Sequence, residues 1–364
     1  MSAIRKIGVL TGGGDSPGLN AVLHAVTKSA INNYGLQVVG FMDGFKGMVE
    51  NDYRELDLES IAGIATLGGT ILGSSNRDSP FRYPSELNGV RTFTDRSAQA
   101  LSNLEKLHLD AVIIIGGDGT MHIAQRFAEM GVNIVAVPKT IDNDVALTDY
   151  SVGFHTAVDT ASEALDRLHT TAQSHHRVMV MEVMGRYAGW IALYAGLAGG
   201  AHVILIPEIP FEMGHIVKTL QERRVRGRKY NIIVVAEGTA PAGGEPMVRQ
   251  MVLESEDPVR LGGIGNYLGA EIERQTGMET RVTVLGHLQR GGSPGPFDRI
   301  LATRFGVAAV DSIMKQRFGT MVSVQGRKKV NVAIKDAIAQ LKRVVPGGEL
   351  VKTARALDIS FGDR

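Results

Sequence analysis

Cysteine is absent from this sequence, which excludes disulfide frameworks and thiolate metal sites. No apolar run approaches the ~20 residues that a membrane-spanning helix needs. The segment Met1-Ser2-Ala3-Ile4-Arg5-Lys6 has no apolar signal core and leads straight into a strand pattern. Neither sign of charge dominates: 39 Lys and Arg stand against 38 Asp and Glu, so charge balance gives no reason to expect a polyanion as partner. No fixed short repeat and no low-complexity segment interrupts the chain. What is present is 364 residues with 44% hydrophobic, 21% charged and 44 glycines, enough for two α/β domains. A cytoplasmic enzyme is the expectation.

Two runs organise the rest. Ala111 to Ile115 is followed by Gly116-Gly117-Asp118-Gly119-Thr120, and Ile134 to Val137 by Pro138-Lys139-Thr140-Ile141-Asp142-Asn143-Asp144. Each opens with an unbroken β-branched stretch, the mark of a strand buried on both faces of a parallel sheet. Each then breaks into glycine, proline and carboxylates where a strand's carboxyl end would meet a crevice, the place where open α/β sheets bind ligands. Met121 to Met130 between them has helical composition, and Gly131 stops it. Neighbouring loops that carry carboxylates on thin backbone suit a metal-bound phosphate and a nearby acceptor. That pattern points to a phosphotransferase.

Upstream, Lys6 to Leu10 reads as a strand and Ala21 to Asn33 as a helix, joined by Thr11-Gly12-Gly13-Gly14-Asp15-Ser16-Pro17-Gly18. Strand, glycine-rich turn and helix start can cradle a phosphate on bare N–H groups. A tight structural turn explains the same glycines, and the spacing matches neither a P-loop nor a dinucleotide fingerprint. Leu36 to Phe41 predicts a second strand, and Ser97 to Leu107 an amphipathic helix. In Gly68 to Arg77, small residues and Arg77 could meet a phosphate, or Arg77 could be a solvated loop arginine. Beyond Asp144, a helix over Val152 to Thr171 and strands over Arg177 to Val183, Val203 to Ile206 and Ile232 to Ala236 suggest a second doubly wound domain. The basic run Gln221 to Lys229 lacks interleaved aromatics and reads as a solvated helix end rather than a nucleic-acid surface. His175-His176 has no carboxylate at ligand spacing and reads as a polar turn. Arg281, His287 and Arg290 converge with Gly291 and Gly292 on the end of a short strand and could bind a phosphate ester.

These residues resemble the phosphofructokinase family over essentially the whole chain. Gly116 to Thr120, Pro138 to Asp144, Met184-Gly185-Arg186 and Gly286 to Pro294 match its motifs in order and separation. The resemblance implies an α/β fold of two similar three-layer αβα domains with an active-site cleft between them. Residues 1–153 plus 289–338 would form the phosphoryl-donor domain, and 154–288 plus 339–364 the sugar-phosphate domain. It implies a homotetramer, with a homodimer as the smaller assembly, and no nucleic-acid or membrane partner. The implied reaction is ATP-dependent phosphorylation of fructose 6-phosphate in glycolysis, by direct in-line transfer with Mg²⁺. The catalytic group would be Asp142 as base, Asp144 beside it, and Thr140 and Arg186 on the developing charge. Asp118 would hold the metal. Gly13, Phe45, Arg77, Gly117, Gly119, Thr120 and Lys139 would lie with Asp118 on the donor side. Arg177, Met184, Gly185, Glu237, Arg281, His287 and Arg290 would take the sugar phosphate, with Arg177 and Arg281 reaching in from a neighbouring subunit.

The chain departs from the family pattern in several places. Members that use pyrophosphate carry aspartate at position 119 and lysine at 139, whereas this chain combines Gly119 with Lys139. Glycine at 119 leaves room for an ATP α-phosphate, and Lys139 could touch a terminal phosphate of either donor, so ATP is favoured over pyrophosphate. The loop at Asn76 and Arg77 is one residue longer than in the bacterial ATP enzymes. Family effector positions hold His24, Lys28, Leu58 and His202, with only Arg226 and Arg228 still basic, so ADP or phosphoenolpyruvate control is not expected. NAD and lipid kinases share Gly-Gly-Asp-Gly but lack the other two long runs. A sensor without catalysis would not need Asp118, Asp142 and Arg186 intact.

Overall fold

The β-branched runs form strands buried from both sides, and period-two alternation sends their side chains to two different helix layers. The computed structural model describes residues 4–87, 90–251 and 259–364. They divide into two units, one within Met1–His155 and Arg290–Leu341, the other Thr156–Met251, Val259–Gln289 and Lys342–Arg364.

The first unit is built on a seven-stranded sheet. Its order is Lys328–Ala333, Thr320–Gln325, Ile134–Pro138, Ala111–Gly116, Lys6–Thr11, Gln37–Phe41 and Tyr53–Leu56. The five inner strands are parallel, and the antiparallel strands Lys328–Ala333 and Tyr53–Leu56 close the two edges. On one face Ile113, Ile115, Val135 and Val137 pack with Leu19 and Val22 of the helix Leu19–Tyr34 and with Leu301 and Phe305 of Pro296–Met314. On the other, Val112, Ile114, Ile134 and Ala136 pack with Leu104 and Phe127 from the helices Ser97–Lys106 and Asp118–Glu129. Each fully buried large apolar side chain contributes roughly 1.5–3 kcal/mol relative to exposure.

Strand order reverses between Lys6–Thr11 and Ala111–Gly116: from the first the chain runs to one side, from the second to the other. Such a switch point opens a crevice at the strands' carboxyl ends. Both glycine loops lie at that end.

The second unit has a parallel four-stranded sheet in the order Thr280–Val284, Val178–Val183, Asn231–Ala236, Val203–Leu205. Val178, Val180, Ile233 and Val235 pack against Ile216 and Leu220 of the helix Met213–Val225 and Leu268 and Ile272 of Ile264–Thr276. The helix Trp190–Ala198 contacts the strands Val203–Leu205 and Asn231–Ala236. Among the described residues no helix is long and apolar enough to cross a membrane.

The expected elements recur with shifted ends. The long helix runs Phe154–His175 rather than from Val152, because Gly153 is left-handed at φ 99° and Val152 is bridged to Lys139. The helix Asp118–Glu129 begins three residues before Met121, so Asp118, Gly119 and Thr120 belong to its first turn.

Candidate active site

The Gly12 N–H donates to the Ile115 carbonyl at 2.8 Å, and the Lys139 N–H to the Gly116 carbonyl at 2.9 Å. These bonds stitch three successive loops of the first unit side by side. Thr120 fits beneath them because Gly12 and Gly116 lack side chains: a Cβ on either would lie 2.8 Å or less from Thr120. Gly13 adopts φ 78°, a left-handed value that glycine takes without strain.

The loop after Pro138 is braced from within. The Asp142 N–H donates to Thr140 Oγ1 at 3.2 Å, and Ser151 Oγ to the Thr140 carbonyl at 2.7 Å. Asn143, left-handed at φ 52°, accepts the Ser151 N–H on Oδ1 at 3.0 Å. Asp142 and Asp144 are thereby held two residues apart on a rigid turn. Ser151 and Asn143 are supports that the sequence did not single out; Asn143 inside the carboxylate run was the available signal.

Asp144 is 9% exposed, and its Oδ1 accepts no hydrogen bond among the described residues. Burial, then the charges of Asp142 and Asp118, push its carboxyl up to about 7. Asp118 is raised by burial as well, against an opposing pull from His122, whose Nδ1 lies 3.5 Å from Asp118 Oδ2.

Asp144 makes stability depend on pH. Its folded pKa exceeds the unfolded value of 3.8, so the folded state keeps a proton that the unfolded chain releases. Stability of the ligand-free protein therefore falls as pH rises from about 4 to about 7. Asp144→Asn removes this cost. The variant's thermal midpoint is expected to exceed wild type by roughly 2–6 °C at pH 8, with a smaller gap at pH 5. Melting both proteins at the two pH values checks this; equal gaps would reject the assignment.

No cluster of three or more metal-ligating side chains occurs among the described residues. Mg²⁺ commonly takes one or two carboxylates and completes its shell with water and substrate phosphates. Asp118, the carboxylate expected to hold the metal, is half-buried and raised by that burial, and as a single carboxylate it fits such a partial shell.

Lys139 is 3% exposed, and its ammonium donates to the Gly12 carbonyl at 3.0 Å and to the Gly14 carbonyl. Burial, then the nearby Arg290 charge, push its pKa down to about 7. Arg290 belongs to this unit and donates from Nη1 to the Asp15 carbonyl at 3.0 Å. Phe45 is 4% exposed and stacks on Phe127 with centroids 6.3 Å apart, so its ring supports the crevice from the core. Arg77 is exposed, in a turn where its N–H donates to Ser75 Oγ at 3.2 Å. Gly119 is exposed on the first helical turn and has no positive φ.

In the second unit Met184, Gly185, Arg186 and Glu237 follow the carboxyl ends of adjacent parallel strands. The Glu237 N–H donates to the Val183 carbonyl at 2.9 Å and the Gly238 N–H to Gly185 at 3.1 Å, locking the two turns together. Buried Gln289, not singled out from sequence although inside the Gly286 to Pro294 run, accepts the Met184 N–H at 2.8 Å. His287 is exposed on the turn Gly286–Gln289 at the same end.

Arg177 and Arg281 lie at the opposite end of this sheet. Seven residues of extended chain, roughly 23 Å, separate Arg177 from Met184, and Arg281 pairs in register with Met179. Glu279 Oε1 receives both guanidinium groups, Arg177 at 2.8 Å and Arg281 at 2.5 Å. Within one chain these arginines therefore lie at the far end of the sheet from the turns that carry Met184 and Glu237.

A cavity of about 460 Å³ in this unit is lined by His176, His202, Arg223, Arg228, Lys229 and Tyr230 among others, with no carboxylate. His202 Nδ1 accepts the Ile232 N–H at 2.9 Å, and burial, then Arg223, push its pKa down to about 3. The imidazole at this former effector position is thus uncharged at neutral pH.

Glycine N–H cradles, paired carboxylates and strand-end turns on open parallel sheets define the class of α/β proteins built to handle phosphate groups. The phosphofructokinase family model matches residues 6–313, and the chain belongs to the phosphofructokinase family. It is 52% identical over 365 residues to an ATP-dependent 6-phosphofructokinase of Clostridium perfringens, covering 100% of both chains. It is 51% identical over 342 residues to a pyrophosphate–fructose 6-phosphate 1-phosphotransferase of Streptomyces coelicolor, covering 94% of this chain and 96% of that one. Among solved structures it matches Pichia pastoris phosphofructokinase at 30% identity and TM-score 0.78, over 93% of this chain and 38% of the longer yeast chain.

Proposed function

We propose that this chain is an ATP-dependent 6-phosphofructokinase that transfers the terminal phosphoryl group of ATP to the 1-hydroxyl of fructose 6-phosphate, in the cytoplasm. Family membership supports the reaction class, and one observation carries the choice of donor. Gly119 occupies an exposed position on the first helical turn where φ does not demand glycine and where glycine is a poor helix former. Space for a ligand accounts for it. A pyrophosphate ends before that point, whereas ATP continues past it. The pyrophosphate reading has its own support in the Streptomyces relative. Offering fructose 6-phosphate and Mg²⁺ with ATP or pyrophosphate in separate assays decides between them; turnover with pyrophosphate alone overturns the ATP reading.

A sugar hydroxyl is a weak nucleophile, so Asp142 accepts its proton as the bond to phosphorus forms. Asp118 would hold Mg²⁺, which would supply charge neutralisation on the donor's phosphate oxygens. Thr140 and Arg186 stabilise the charge that develops on the transferred group, without a covalent intermediate. Gly13, Gly117, Thr120, Lys139 and Arg77 serve the donor from the first unit. Met184, Gly185, Glu237 and His287 serve the sugar phosphate from the second, joined by Arg290. The unit within Met1–His155 and Arg290–Leu341 is the donor domain, and the unit of Thr156–Met251, Val259–Gln289 and Lys342–Arg364 the sugar-phosphate domain, with boundaries within three residues of the expected 153, 289 and 338.

Arg177 and Arg281 complete the site of a neighbouring chain in a homotetramer. The ~23 Å between Arg177 and Met184 within one chain supports this. Inactive Arg281→Ala chains mixed and reassembled with inactive Asp142→Asn chains are expected to regain measurable turnover, because some hybrid sites pair an intact base with an intact arginine. Hybrids confirmed by mass that stay inactive would count against a shared site.

A further inference from the structure

Every carbonyl of the glycine-rich loop from Gly12 to Asp15 is taken by a side-chain donor. Lys139 Nζ binds those of Gly12 and Gly14, Ser74 Oγ that of Gly13 at 2.5 Å, and Arg290 Nη1 that of Asp15 at 3.0 Å. The Gly12 and Gly13 N–H groups are spent on the carbonyls of Ile115 and Ser75. The N–H groups of Gly14 and Asp15 have no acceptor among the described residues. Within a peptide the C=O and N–H point opposite ways: where Ser74 holds the Gly13 carbonyl and Lys139 that of Gly14, the Gly14 and Asp15 N–H groups of the same two peptides are turned away from those donors. A left-handed Gly13 followed by two such N–H groups makes a concavity of the kind that holds phosphate oxygens.

We propose that Lys139 is a positioning residue for the phosphoryl donor, acting through this loop rather than by touching the donor. The inference rests on the reading of the first unit as the donor site. With Ser74 and Arg290, Lys139 sets the loop's peptide planes so that Gly14 and Asp15 offer their N–H groups to a terminal phosphate. A lysine used in this way does not discriminate between donors, since ATP and pyrophosphate present the same terminal group to the same two N–H groups. It also explains why a cation is buried at 3% exposure where a phosphate-contacting lysine would need to face the crevice.

The first test reads the loop with no ligand present. Amide hydrogen exchange of the peptide spanning Gly12 and Gly13 is expected to accelerate at least tenfold in Lys139→Met, and to a smaller degree in Ser74→Ala, with the protein still folded by its thermal melt. Unchanged exchange in both variants overturns the proposal. The second test is a double-mutant cycle on Mg-ATP affinity, with Gly13→Ala, whose methyl group would strain the left-handed turn and press on Thr120 Oγ1 at 3.3 Å and Lys139 Nζ at 3.6 Å, to distort the same loop. Lys139→Met and Gly13→Ala are each expected to raise the dissociation constant tenfold or more, and the double variant to add less than threefold beyond the weaker single. Multiplying effects mean that Lys139 touches the donor directly, and the proposal fails. Lys139→Arg, which keeps donors near the two carbonyls, is expected to recover part of the protection from exchange. If wild type binds no Mg-ATP, the donor reading has failed, while the exchange result still decides whether Lys139 holds the loop.

Discussion

Replacing Asp142 with asparagine is expected to lower kcat by ~10²–10⁴-fold, the range over which general-base catalysis operates. The amide keeps the size of the side chain and the turn around it. The Thr140, Asn143 and Ser151 bonds that shape this turn run through other atoms: the Asp142 N–H, the Thr140 carbonyl and the Asn143 side chain. What is lost is an oxygen able to accept the sugar's proton. The KM for fructose 6-phosphate is therefore expected to stay within a few-fold of wild type, since the proposed mechanism gives sugar-phosphate recognition to other residues. A loss in kcat with little change in KM is the signature of an interaction made only in the transition state. Steady-state kinetics over a range of fructose 6-phosphate concentrations measures both. An Asp142→Asn enzyme with wild-type kcat would remove Asp142 from the chemistry.

Gly119→Asp is the second large effect. On the proposed donor reading, a carboxylate there would face the phosphates of ATP at close range. Two like unit charges ~4 Å apart repel by about 4 kcal/mol at an effective dielectric of 20, equivalent to ~10³ in kcat/KM. The fold should tolerate the change. Gly119 is exposed, lies on the first turn of Asp118–Glu129 and has no positive φ. Aspartate near a helix N-terminus is favoured by the helix dipole. The thermal midpoint is thus expected to move by no more than a few degrees while ATP turnover falls ~10³-fold. Retention of full ATP activity by a folded Gly119→Asp protein would refute the steric and electrostatic argument for donor choice. A collapse in thermal stability would show that glycine serves the helix instead.

Much of this was legible because it is local. Unbroken β-branched runs such as Ala111 to Ile115 bury both faces, and only a parallel sheet covered by helices offers that environment. The strand ends where glycine, proline and carboxylates begin, so the functional loops could be located from the breaks alone. Gly116 to Thr120 falls at the switch point of the seven-stranded sheet, and Pro138 to Asp144 at the carboxyl end of the next strand. The elements without such breaks were harder to read. The pair Thr320–Gln325 and Lys328–Ala333 completes a sheet that begins at Lys6, more than 300 residues earlier. Nothing in its own pattern names its partner.

Side-chain direction was not legible at all. Lysine at 139 carries the same charge whether it meets a phosphate or two backbone carbonyls. The outcome depends on Gly12 and Gly14 being brought to it across 127 and 125 residues of chain. Phe45 has the same composition in a ligand site as in a core, and its stacking on Phe127 was decided by how two helices meet one sheet face. Arg177 and Met184 are close in sequence, yet the strand between them holds them at opposite ends of a sheet. Periodicity and breaks in the chain determine which segments become strands and where their loops open, because those depend on neighbours a few residues away. Which charged head group faces a ligand, a carbonyl or a partner chain is decided by contacts between distant segments, and these exist only once the layers have packed.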